Sequence, residues 1–109
     1  MENAIRIIPI QGVDSSTFAG TAYYKLNPDG LDEACNVVRI TNNSSIDLLV
    51  SVDGGARAYE FVPTKDSVSW GSWSEKQLRW EKGTIFSVRN AAAAGGAGVG
   101  IIYISGYYR

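Results

Sequence analysis

The sequence predicts an all-β protein, an antiparallel β-sandwich, jelly-roll-like, of about eight strands. Three observations carry the prediction. Apolar residues recur with period two in short runs along most of the chain, the pattern of strands with one covered face. Turn-forming residues separate those runs, as in Asn27-Pro28-Asp29-Gly30 and Asp53-Gly54-Gly55. No segment offers a convincing amphipathic helix. Residues 91–94 are four alanines, but Gly95 and Gly96 follow at once, so propagation stops before a stable helix nucleates.

The elements follow in order. Residues 4–10 form the first apolar run, and Pro9 within it suits an edge strand or an arm rather than a central strand. Residues 17–26, with Phe18, Tyr23 and Tyr24, read as the second strand, and 31–33 as a helical turn or loop. Strands then read at 36–41, 46–53 and 57–62, weaker ones at 67–70 and 76–80, and the last two at 84–89 and 99–108. Alternation assigns the faces. Ile46, Leu48, Val50 and Val52 point one way, and Asp47, Leu49, Ser51 and Asp53 the other. Phe86 and Val88 point inward, with Ile85, Ser87 and Arg89 outward. Residues 91–98 read as a flexible loop. The last strand differs: Ile101, Tyr103 and Tyr107 share one face while Ile102, Ile104 and Tyr108 share the other. A sandwich strand needs only one apolar face, so the second argues for contact with a partner or another subunit.

A chain of 109 residues suits one domain, 1–109, and buries roughly 65% of its unfolded surface without staples. Charged residues make up 19% of it, below the ordinary quarter, which fits a surface that becomes covered. Net charge is −1 and the ten basic residues are scattered singly, so nothing points to nucleic acid. The opening MENAIRIIPIQG lacks a basic leader and a long apolar run, and the chain has no run of about 18 apolar residues, so neither a cleaved leader nor a membrane span is expected.

The pattern expects no enzyme and no cofactor. Without histidine the commonest general base and metal ligand are missing, and triads built on it are excluded. The glycines at 95–100 are followed by neither a Lys-Ser/Thr pair nor a helix, so they make no phosphate loop. Cys35 is the single cysteine and reads as a small buried hydrophobe in a protein made in a reducing compartment. Asp29, Asp32 and Glu33 cluster in a turn region, where acids favour solvent, and their spacing matches no calcium loop. Asn42-Asn43-Ser44 and Asn43-Ser44-Ser45 fit the glycosylation pattern but read as a polar turn between strands. Trp70 and Trp73 could form an aromatic platform for a sugar. The competing expectation has Trp70 and Trp80 closing the ends of the core and Trp73 part-buried against a neighbour.

Three stretches go beyond composition: VVRITNNSSIDLLVSVDGGARAYEFVP at 37–63, KGTIFSVRN at 82–90 and GVGIIYISGYY at 98–108. Their order resembles small virion structural proteins of tailed bacteriophages, and most closely the jelly-roll capsid decoration, or cement, proteins. The resemblance implies a protein made in the host cytoplasm and added to the outer capsid surface of the virion. There it would bridge major capsid protein subunits, commonly as a homotrimer, against the pressure of packaged DNA. It marks no catalytic residue. The residues expected to meet a partner are Ile5, Ile7, Trp70, Trp73, Tyr103, Tyr107 and Tyr108, within three segments: 1–10, the turn at 70–73 and the loop at 91–98. Tyr103, Tyr107, Tyr108 and Ile85 would supply the apolar surface for self-association. The alternatives are a tail or fibre component that binds a host-surface carbohydrate and a cellular carbohydrate-binding module. Both would need the Trp70–Trp73 platform.

Overall fold

The computed structural model describes residues 5–71 and 79–108. Within them lie nine strands: β1 (Arg6–Ile7), β2 (Gln11–Asp14), β3 (Tyr24–Lys25), β4 (Val37–Ser44), β5 (Leu48–Ser51), β6 (Glu60–Val62), β7 (Ser67–Gly71), β8 (Ser87–Asn90) and β9 (Gly100–Tyr108). They form two antiparallel sheets. In the first, β9 lies between β4 and the β1–β2 edge, and β7 pairs the far side of β4. The second runs β3, β8, β5, β6. The pairs β2·β9, β3·β8, β4·β7 and β5·β6 are those of one long hairpin bent between β5 and β6, with alternate pairs assigned to opposite sheets. The pairs β4·β9 and β5·β8 close the two sheets. This is the β-sandwich the alternation predicts, rolled in jelly-roll order.

The core lies between the sheets. Val38 and Ile40 of β4 and Ile102 and Ile104 of β9 are buried, with Leu48, Val50, Val62, Phe86 and Val88 from the second sheet's side. Each such side chain stabilises the fold by roughly 1.5–3 kcal/mol over its exposed state. Trp70, Trp80 and Phe86 form an aromatic cluster at the margin of this core. Trp80 meets Phe86 edge-on at 5.0 Å, and Trp70 stacks on Phe86 at 6.0 Å.

Several expected elements differ. The first run is not one strand. Pro9 interrupts it, β1 ends at Ile7, and pairing with β9 resumes at Gln11. Ile8 alone of its isoleucines enters the core, while Ile5, Ile7 and Ile10 are exposed. Of the strand expected at 17–26 only Tyr24–Lys25 is extended in a ladder. Ahead of it Ser15–Thr17 form a 3-10 turn whose first N–H groups are capped by Asp14, which accepts from Ser16 N at 2.9 Å. Phe18 is buried by stacking on Tyr24 at 4.6 Å, so an aromatic that reads as strand is core packing from a loop. The strand expected at 57–62 begins only at Glu60. Most of the strand expected at 76–80 lies outside the described residues, and Trp80 makes a single bridge to Cys35.

Residues 42–44 are not a turn. They are the last rungs of β4, and Asn42 and Ser44 are fully buried. The Asn42 amide donates to the carbonyls of Ile46 (2.8 Å), Val62 (3.1 Å) and Pro63 (3.2 Å) and accepts from Ser44 N and Oγ. One side chain thus ties the first sheet to the end of β6 in the second. Asn27 does similar work at the other sheet: its amide donates to Thr84 O at 2.9 Å and accepts Phe86 N at 2.8 Å, extending the β3–β8 ladder where the main chain turns away. Gly30 makes that turn. It has φ +81, and a Cβ there would lie 2.5 Å from the Gly83 backbone. The loop at 91–98 contains no helix, as expected, but it is anchored rather than loose: Ala91 N donates to Asp47 O, Gly96 N to Gly20 O and Gly98 N to Ser15 O.

Candidate docking surface

β9 positions the site. Its Ile102, Ile104 and Gly106 point into the core, so Ile101, Tyr103, Ser105 and Tyr107 point out, on the middle strand of a five-stranded sheet. Cross-strand register assembles the rest. Tyr107 is flanked by Ile7 and Val37, Ser105 by Arg39, Tyr103 by Gly12 and Thr41, and Ile101 by Asp14 and Asn43. Ile7 is 63% exposed and Ile101 36%. Gly12 shapes the centre. A Cβ there would sit 3.2 Å from Tyr103 Cδ1 and 2.7 Å from Ile102 O, so the Tyr103 ring lies over a backbone that no side chain lifts away. The result is a face of tyrosines and aliphatics set among Ser, Thr, Asn and Gly, with few charges.

The expected contact residues separate into groups. Ile5 and Ile7 lie exposed at the edge of the first sheet, and Tyr103 and Tyr107 are half-buried on its outer face. These four share one side of the molecule's first sheet and its edge. Tyr108 is on the opposite side of β9, packed against the core. Trp70 is also turned inward, and its indole N–H donates to Glu60 Oε1 across the sheets at 3.1 Å. Trp73 lies outside the described residues. Ile85 is half-buried on the second sheet's side, beside Val52 and Thr84.

A second apolar patch went unread in the sequence. Phe61 on β6 is 49% exposed and pairs with Leu49, whose outward side chain the alternation does mark. Tyr59 beside it is exposed, with its hydroxyl donating to Asp53 Oδ2 at 2.7 Å. The signal available was the outward phase of Leu49 carried across to its partner strand.

The titratable groups have structural explanations. Cys35 is fully buried, and burial pushes its thiol pKa up, helped by Glu33 and Asp32 nearby. Asp53 is held below the usual carboxylate range by hydrogen bonds from Tyr59 and Ser51 hydroxyls and the Arg57 N–H. Asp29, Asp32 and Glu33 are exposed. Among the described residues no three potential metal ligands converge. No protein-family model matches the chain, and no curated protein matches it.

Proposed function

We propose that this domain is a non-enzymatic structural protein of a phage virion: a capsid decoration protein that docks on the outside of the head and bridges major capsid protein subunits as a homotrimer. The observation that carries the docking reading is the uncovered outer face of β9. A central strand with apolar residues on both sides has a second face to bury. Three inter-strand spacings of about 4.8 Å and nine residues at about 3.4 Å give a face of roughly 440 Å² before side-chain relief. That is a little over half of the roughly 800 Å² each partner contributes to a standard interface. Tyrosine is enriched at such interfaces, and near-neutral charge leaves shape and aromatic anchors to supply affinity. The capsid assignment rests on the resemblance of residues 37–63, 82–90 and 98–108 to decoration proteins.

The glycan alternative needs Trp70 and Trp73 side by side at the surface, and Trp70 faces inward. The test is to mix purified wild type and the double variant Tyr103→Ser/Tyr107→Ser with heads that lack the protein, after confirming that both fold. Wild type should saturate the heads and the variant should lose at least about tenfold in affinity, since two interface anchors are removed. Equal saturation by both would place the contact elsewhere. Wild type that ignores heads and binds a glycan array would replace the capsid reading altogether.

A further inference from the structure

Beside Tyr103, where β4 meets the turn before β7, the outer face of the first sheet dips into a shallow hollow of about 340 Å³. The Tyr103 ring forms one wall, Arg39 and Lys65 stand around it, and Thr41, Asn43 and Ser67 contribute neutral oxygens. Both cations are hydrogen-bonded to neutral groups. Arg39 Nη2 donates to Ser67 Oγ at 3.1 Å, and Lys65 Nζ donates to Asn43 Oδ1 at 3.3 Å. The carboxylate in the lining, Asp66, is exposed and accepts Ser67 N at 2.8 Å through Oδ1. Two positive groups and one carboxylate therefore surround the aromatic wall, which leaves the lining with a net positive charge.

The backbone adds an independent observation. Lys65 has φ +62, and it is the one non-glycine residue with positive φ among the described residues. Glycine suits this conformation, and an L-residue adopts it at a cost. A lysine nonetheless stands there, and it lines the hollow.

We propose that this hollow receives a carboxylate side chain, Asp or Glu, from the docked protein surface. The inference rests on the reading of the outer face as a docking surface and names the chemistry of its partner. The aliphatic stem of a glutamate fits against the Tyr103 ring while its carboxylate takes charge-assisted hydrogen bonds from Arg39 and Lys65. One such contact at the centre of an apolar face sets register and excludes neutral or basic partner surfaces.

The test is an NMR titration of the full chain with three small probes: N-acetyl-glutamate amide, N-acetyl-glutamine amide and methyl glucoside. The glutamate probe alone should shift the signals of Arg39, Lys65 and Tyr103, saturating in the millimolar range. Lys65→Gly should weaken that binding about tenfold, the worth of one charge-assisted hydrogen bond, while melting at the same or a higher temperature. Equal shifts from the glutamine probe, or shifts from the glucoside instead, overturn the proposal. So does a Lys65→Gly variant that binds the probe unchanged. The two readings fail separately: if Lys65→Gly still saturates heads while Tyr103→Ser/Tyr107→Ser does not, the face docks and the carboxylate contact is wrong.

Discussion

The outer faces of the two sheets obey the same alternation and meet different fates. On the first, the outward residues of β9 are half-buried or exposed. On the second, Ser51 and Ser87 point outward by phase yet are 0% and 3% exposed. The difference comes from residues 52–58. Asp53 gathers the Ser51 hydroxyl, the Arg57 N–H and the Tyr59 hydroxyl. Gly55 lies against the Tyr23 ring, where a Cβ would be 2.8 Å from Cδ2, and the Arg89 guanidinium sits 5.9 Å over the same ring. The second sheet is covered by its own chain over Ser51 and Ser87, while Phe61 on β6 stays exposed; no such loop among the described residues covers the outward side of β9. Strand periodicity therefore tells which side chains leave the core, and the loops decide whether they stay uncovered.

Breaking the link between the sheets has the largest expected effect. Asn42→Leu removes the donor to three carbonyls and the acceptor for Ser44. It should cost about 3 kcal/mol, because buried polar groups lose their partners. Chemical denaturation measures it, and a loss under about 1 kcal/mol would show that water replaces the amide. Gly12→Val comes next and strikes the open face alone. Its Cβ would meet the Ile102 carbonyl at 2.7 Å, so the β2–β9 pairing must shift and Tyr103 must move, at about 2 kcal/mol. Amide exchange should rise along β2 and β9 and remain unchanged in β5 and β8. Exchange that rises equally in both sheets would deny the faces their independence.

The smallest effect concerns the covered face. Asp53 titrates below the ordinary carboxylate range near 4 in the folded protein because hydrogen bonds favour its charged form. Its stabilising contribution is thus present above about pH 4 and is lost as pH falls through the depressed folded value. Lowering the pH from 5 to 2 should reduce the protection of the Gly55 and Arg57 N–H groups, relative to their intrinsic exchange rates, more in wild type than in Asp53→Asn. Identical acid profiles would mean that the loop is held by the Gly55–Tyr23 packing instead.

How far the fold was legible follows from the same division. Leu48, Val50, Phe86 and Val88 sit in the core where alternation puts them, because each strand has one dry side, whereas alternation separates the two faces of β9 without telling that Ile102 and Ile104 are on the dry one. β2 was not legible: Gln11-Gly12-Val13-Asp14 has a single apolar side chain, and its extension comes from pairing with β9. Phe18 misled in the other direction, since an aromatic ring fills a core from a loop as well as from a ladder. Asn42 and Ser44 read as turn residues because burial of polar side chains depends on carbonyls far away in sequence. Of the candidate site, it was visible that Tyr103 and Tyr107 share one face of the last strand, but not that this face is the outward one. The hollow beside Tyr103 was not, because Arg39, Lys65 and Ser67 come from strands and a turn that only the tertiary fold brings together.

The position of β9 has a further consequence, for how the molecule is made. Last of the described strands in chain order, it is the central strand of the first sheet and separates β1 and β2 from β4. During synthesis β4 therefore waits for a neighbour some 60 residues away, with Val38 and Ile40 lacking their β9 partners. Pairing at such separation makes folding slow, and the waiting strand is open to wrong partners meanwhile. Arg39 and Asn43, alternating with the apolar residues of β4, put polar groups on one side of that strand while it waits.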